Sequence, residues 1–167
     1  MNGFPPDALP KAGLSFIDLD WYIEERRHKT ISQLFAELGE DGFRQLEQRM
    51  LHEAGEFEDV VIACGGGTPC FFDNMDYMNR QGLTVWVDAD NDTLFRRLRA
   101  ATHQRPILCG KTDEELRDFI AASMEKRRPF YTQAQLILDG NRLESHKEIR
   151  DTVEQLSDII LNEDKRI

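Results

Sequence analysis

Positive charge is scarce in this sequence. Its 21 Lys and Arg stand against 31 Asp and Glu, for a formal net charge of −10. Nucleic acid and anionic membrane both select a basic surface, so neither is expected as a main partner. Cysteine is nearly as scarce: Cys64, Cys70 and Cys109 are odd in number and have no C-x-x-C spacing. They read as reduced thiols, which implies a cytoplasmic protein. No apolar run is long enough to span a bilayer, and the N-terminus lacks a signal peptide's basic-then-apolar build. His28, His52, His103 and His146 show no metal-ligand spacing and read as surface residues. There is no internal repeat and no low-complexity tract. What remains, at 167 residues, is one domain long enough to bury a real core.

The chain is organised around residues 60–69, VVIACGGGTP. Val60, Val61, Ile62 and Ala63 run without alternation, which predicts a strand buried on both faces of a parallel sheet. Gly65, Gly66 and Gly67 follow at once. Glycine permits positive φ and lets a bound molecule approach the backbone closely. A buried strand ending in such a loop presents open N–H groups at the carboxyl edge of the sheet, where open α/β folds bind ligands. A plain tight turn is the alternative.

Residues 1–14 carry Pro5, Pro6 and Pro10 and are expected to be irregular, with a single domain over 15–167. Phe16 and Ile17 predict a short strand, left through Asp18 and Asp20, with a helix over 21–29. Thr30 and Gln33 form a capping box for a helix that Gly39 should stop. Phe43, Leu46, Met50, Leu51 and Ala54 mark the next amphipathic helix. Asp73 can cap a helix running to Gln81, and Thr84–Val87 predicts a second buried strand. Asp90 caps a helix with Leu94, Phe95 and Leu98 inward. The box Thr112-x-x-Glu115 opens a helix that Pro129 should end. Gln135–Leu138 predicts a third strand, and Ser145-x-x-Glu148 caps a last helix. Strands alternating with helices indicate an α/β parallel sheet.

Four constellations could carry chemistry. Asp18 and Asp20, at a strand's carboxyl end, can hold a metal through water or accept a substrate hydroxyl; either could instead cap the next helix. Arg44 flanks an apolar stripe and could bind an anion or pair with Glu40 or Glu47. Arg127 continues the inward positions 116, 119, 120, 123 and 124, while Lys126 and Arg128 turn away. An inward arginine needs an anion, either a ligand carboxylate or phosphate or a structural acid such as Asp18. Between Arg96 and Lys111 lie five basic residues and no acid, which fits a polyanion or a solvated helix face.

In order and spacing, FIDLDWYIE (16–24), GFRQLE (42–47), the strand with its three glycines (60–67), QRPIL (104–108) and KRRPFY (126–131) resemble shikimate kinase. The resemblance implies a three-layer P-loop kinase fold whose parallel sheet has the strand order 2-3-1-4-5. It implies a monomer that moves the γ-phosphoryl of ATP to the 3-hydroxyl of shikimate with Mg²⁺. It further implies that Asp20 contacts the shikimate hydroxyls and takes the proton, with Asp18 in the outer shell of the metal. Arg44 and Arg127 would hold the shikimate carboxylate, and Gly66 would contact substrate through its backbone. Arg105 would reach the ATP phosphates and Arg97 the region of the adenine. Arg128 receives no role.

One family feature has no counterpart. The sequence contains no G-x-x-x-x-G-K-[ST] run, the loop whose backbone and lysine cradle the phosphates and whose hydroxyl holds Mg²⁺. The resemblance therefore predicts a truncated chain or an altered start, with the central first strand missing and catalysis impaired. A module that binds shikimate without phosphorylating it is the alternative. Strands 60–63 and 84–87 should then face each other across an unfilled place.

Overall fold

The computed structural model describes residues 13–100 and 111–163, the side chains of 161–163 excepted. Expectations for residues 1–12, His103, Arg105 and Cys109 lie outside the described residues.

Strand β1 (Ser15–Asp18) runs directly into helix α1 (Leu19–Arg27). The helix starts two residues before Trp21, because the Asp18 carboxylate takes the first open N–H groups, those of Asp20 at 3.0 Å and Trp21 at 3.2 Å. Helix α2 (Ile31–Ala54) opens on the Thr30–Gln33 capping box. Gly39 interrupts it without ending it. Its φ of 67° and ψ of −177° put a kink in the helix, which then resumes. Strand β2 (Val60–Ala63), a 3-10 turn over Thr68–Cys70 and helix α3 (Asn74–Gln81) follow. Asp73 precedes α3, but its carboxylate caps nothing there and accepts from Gln48 Nε2 at 3.0 Å instead.

Strand β3 (Val85–Asp88) lies one residue later than expected. Helix α4 (Asn91–Ala100) is capped by Asp90, whose carboxylate accepts from the Thr93 N–H at 2.7 Å. Helix α5 (Asp113–Tyr131) carries the Thr112–Glu115 box and runs through Pro129. Proline's fixed φ suits a helix, and in the last turn it forgoes one backbone bond without breaking the next. The Thr132 N–H still reaches the Arg128 carbonyl at 2.9 Å. Strand β4 (Leu136–Asp139), again one residue late, and helix α6 (His146–Glu163) complete the order.

The strands form two parallel pairs. Ser15 to Asp18 lie opposite Val60 to Ala63, and Val85 to Asp88 opposite Leu136 to Asp139. Among the described residues β2 and β3 share no ladder and no strand joins the two pairs, which correspond to the outer pairs of the 2-3-1-4-5 order. The expectation of strands buried on both faces fails. Every residue of β2 is half-buried, and Val87 in β3 is 37% exposed; among the described residues each strand has a partner along one edge only.

The core is correspondingly divided. Leu19, Ile23, Leu34, Phe43, Leu46, Leu51, Ala54 and Tyr77 pack together beside β1 and β2. Leu116 and Ile120 form a smaller cluster with Leu94, Phe95, Leu98, Phe119 and Met124. His52 belongs to the first region. It stacks on Tyr77 with ring centroids 3.8 Å apart and is not the surface residue its isolation in sequence implied.

Candidate functional site

The carboxyl ends of β1 and β2 bring the predicted residues together. Asp18 closes β1, and Asp20 sits in the first turn of α1. The Asp20 Oδ1 lies 3.6 Å from where a Cβ on Gly65 would stand. The Asp18 carboxylate is spent in part on the α1 N-terminus, so its capping role is real. Cys64, at the exit of β2, registers the crowd of acids. Its thiol is pushed up to about 12 by burial first, then by the charges of Glu47, Asp20 and Asp18.

Arg44 is paired with Glu47, as one reading of the sequence allowed, but the pair is buried and not a surface contact. The Arg44 side chain is 15% exposed, that of Glu47 3%, and Nη1 lies 2.8 Å from Oε2. The other carboxylate oxygen of Glu47 accepts from the Thr68 hydroxyl at 2.7 Å. Asn74 in turn donates to the Thr68 carbonyl at 2.8 Å. The arginine is thus fixed to the turn that follows the glycines. Its guanidinium also lies over the rings of Phe71 (4.3 Å), Phe43 (5.4 Å) and Phe35 (5.5 Å). Thr68 and Phe71 were missed in the sequence. Glu47 was one of the two acids offered for Arg44, and it stands three residues after it on the same face of α2 as Phe43 and Leu46.

Arg127 faces inward as its position predicted, and Lys126 and Arg128 are exposed. Glu40 and Glu47 pair with Arg44 and Asp73 with Arg80, and among the described residues no ion pair joins any of these three acids to Arg127. Its Nη1 lies 3.0 Å from the Cβ position of Gly66, and the Tyr131 hydroxyl lies 2.9 Å from the same point. That hydroxyl donates to the Gly66 carbonyl at 2.5 Å. The reason for the glycines therefore differs from the expectation. Positive φ is confined to Gly13 and Gly39 among the described glycines. Gly66 and Gly67 are instead needed for close approach, because a Cβ on Gly67 would stand 3.0 Å from the Arg44 guanidinium.

The basic island resolves differently. Arg97 Nη2 donates to the Gly140 carbonyl beyond β4 at 2.7 Å. Arg96 pairs with Glu144 at 3.2 Å and Arg99 with Asp113 at 3.0 Å. Acids distant in sequence thus pair with Arg96 and Arg99 at the surface, while half-buried Arg97 is held by a backbone carbonyl.

Two guanidiniums beside a glycine loop, with the Asp20 carboxylate near its first glycine, suit a small anionic molecule. Comparison with known proteins points the same way. The family model described as Shikimate kinase matches residues 10–157. The shikimate kinase of Bacteroides thetaiotaomicron is 58% identical over 150 residues, covering 90% of this chain and 86% of that one. The shikimate kinase of Bacteroides fragilis is 60% identical over 147 residues, covering 88% and 82%. The crystal structure of the Bacteroides thetaiotaomicron shikimate kinase superposes with a TM-score of 0.87 at 56% identity, covering 92% of this chain and 88% of that chain. With more than half the residues identical over most of both chains, and a family match across nearly the whole domain, the chain belongs to the shikimate kinase family.

Proposed function

We propose that the site is the acceptor side of a shikimate kinase, which transfers the γ-phosphoryl of ATP to the 3-hydroxyl of shikimate. The observation that carries this reading is the convergence of Arg44 and Arg127 on adjacent glycines, each guanidinium 3.0 Å from a Cβ that is absent. Arg44 already has Glu47, so Arg127 brings the charge that a ligand carboxylate answers. Charge-assisted bonds of this kind contribute about 1.5–3 kcal/mol each. Gly66 offers its backbone to the ligand. Asp20 accepts the proton from the attacking hydroxyl as its oxygen bonds to phosphorus and the bond to the ADP oxygen breaks.

The donor side is supported less directly. Arg97 stands beside the loop after β4, where the adenine would lie, and Arg105 is assigned to the phosphates. Mg²⁺ is ordinarily held by one or two carboxylates together with substrate phosphates. Asp18 and Asp20 at one sheet edge fit that pattern. Among the described residues no group of three ligating side chains forms a protein cage. Asp18, committed to the α1 N-terminus, would act through water. When bound, the ion would offset phosphate charge.

Without a P-loop lysine and hydroxyl in its sequence, this chain is proposed to bind shikimate while turning it over slowly, since preorganised charge supplies most of the rate. Calorimetry with shikimate and a coupled assay with ATP and Mg²⁺ test both halves of the proposal. Binding is expected, with turnover far below the roughly 1–100 s⁻¹ of ordinary kinases. Absence of shikimate binding overturns the substrate assignment, and ordinary turnover overturns the impairment.

A further inference from the structure

We propose that Tyr131 is the positioning residue for Arg127, its phenol tying the guanidinium to the backbone of the Gly66 loop; the assignment rests on the shikimate reading above. Residues 127 and 131 are one turn apart on α5, so both side chains leave the same face of the helix. The phenol has a single O–H, and it is given to the Gly66 carbonyl at 2.5 Å. The oxygen keeps lone pairs, and it stands beside the Arg127 guanidinium: the hydroxyl and Nη1 lie 2.9 Å and 3.0 Å from one point, the Cβ position of Gly66. Burial pushes the Tyr131 hydroxyl up, against the opposing pull of Arg127, so it stays protonated and donating at neutral pH. The ring is held from behind by Trp86 in β3, with centroids 5.6 Å apart.

Two consequences follow from this geometry. Arg127 lacks the buried carboxylate that fixes Arg44, and Tyr131 stands where Glu47 stands for the other arginine. The contact also joins the loop after β2 to β3, two strands with no ladder between them. A phenol that donates to one backbone oxygen and stands against one guanidinium sets the distance between the arginine and the glycine amides, and with it the fit to a carboxylate.

The test is calorimetry on the full chain with shikimate and with its methyl ester, for the native protein and Tyr131→Phe. The variant keeps the ring against Trp86 and loses the hydroxyl, with its bond to Gly66 and its lone pairs beside Arg127. Affinity for the acid should fall about tenfold, the size expected for a bond to a charged group, while affinity for the ester changes less than about twofold. The acid-to-ester ratio therefore collapses. Equal losses for acid and ester, or no loss for either, overturn the proposal. Tyr131→Met, which keeps apolar bulk and also lacks the hydroxyl, repeats the measurement should the first variant misfold. Failure of the native protein to bind shikimate, or to prefer it to the ester, overturns the underlying substrate reading and is seen before any variant is compared.

Discussion

Around β1 and β2, helices α1 to α3 enclose a cluster of eight buried residues and a buried ion pair. Around β3 and β4 the buried cluster is only Leu116 and Ile120, ringed by half-buried residues, with Ala89, Thr93, Val153 and Leu156 buried elsewhere, and Ile137 remains 52% exposed. Both halves carry surface ion pairs, Arg26–Glu53 and Lys29–Glu37 in the first and Arg96–Glu144, Arg99–Asp113 and Arg117–Asp92 in the second; what sets the first apart is Glu47, buried between Arg44 and Thr68. The difference teaches where rigidity has been placed. Most of the groups proposed to hold shikimate stand on the half with the larger buried cluster. The half proposed for the nucleotide has the smaller one and leans more on its helix caps, which acid can reach.

The strongest way to break this comparison is Glu47→Ala. It strands a buried guanidinium and a hydroxyl together, and losing one partner of a buried pair costs about 3–5 kcal/mol. Denaturant unfolding should show that loss, and shikimate binding should go with it. A next, smaller effect belongs to Gly39→Ala. A Cβ at Gly39 meets no atom within 4 Å, so the cost is backbone strain alone, about 1–3 kcal/mol at a conformation of this kind. An unchanged melting temperature would mean that the kink relaxes.

Acid should separate the halves. Asp90, Glu115 and Glu148 cap α4, α5 and α6. The first two carboxyls are held low chiefly by the backbone N–H groups of Thr93 and Thr112, and the third by the Ser145 hydroxyl. A depressed folded pKa stabilises above the ordinary value, and the gain is lost as pH falls through the folded one. Hydrogen exchange should therefore show α4 to α6 losing protection before α1 and α2 as pH drops below about 4. Simultaneous loss in all the helices would argue against the division. Glu144→Ala is the smallest change, at most about 1 kcal/mol, because its pair with Arg96 is exposed.

Much of this was legible in the sequence where the physics is local. Three capping boxes at Thr30, Thr112 and Ser145 formed as spelled, because each depends on residues three apart. The inward turn of Arg127 followed from helical periodicity. Asp18 and Asp20 appeared at a strand end, as the run SFIDLD implied. What could not be read was set by distant partners. Nothing near Arg96 or Arg99 announces Glu144 or Asp113, and nothing near Gly66 announces the Tyr131 hydroxyl 65 residues later. Pro129 misled because a helix's last turn tolerates proline when later contacts hold it. Gly39 misled because positive φ can bend a helix as well as end one.

The central claim is that an inward Arg127, and not its neighbour, completes a carboxylate site against Arg44 and the glycine loop. Arg128 offers the matched control: it is exposed, with its guanidinium over Trp86 at 5.4 Å. Calorimetric titration of shikimate into Arg127→Ala and Arg128→Ala tests the claim most directly. The account predicts that Arg127→Ala weakens binding at least about a hundredfold, as expected from losing charge-assisted bonds to one carboxylate. It predicts that Arg128→Ala stays within about twofold of the native protein, since a cation–π contact at the surface supports packing and not the ligand. Equal losses from the two substitutions would contradict it.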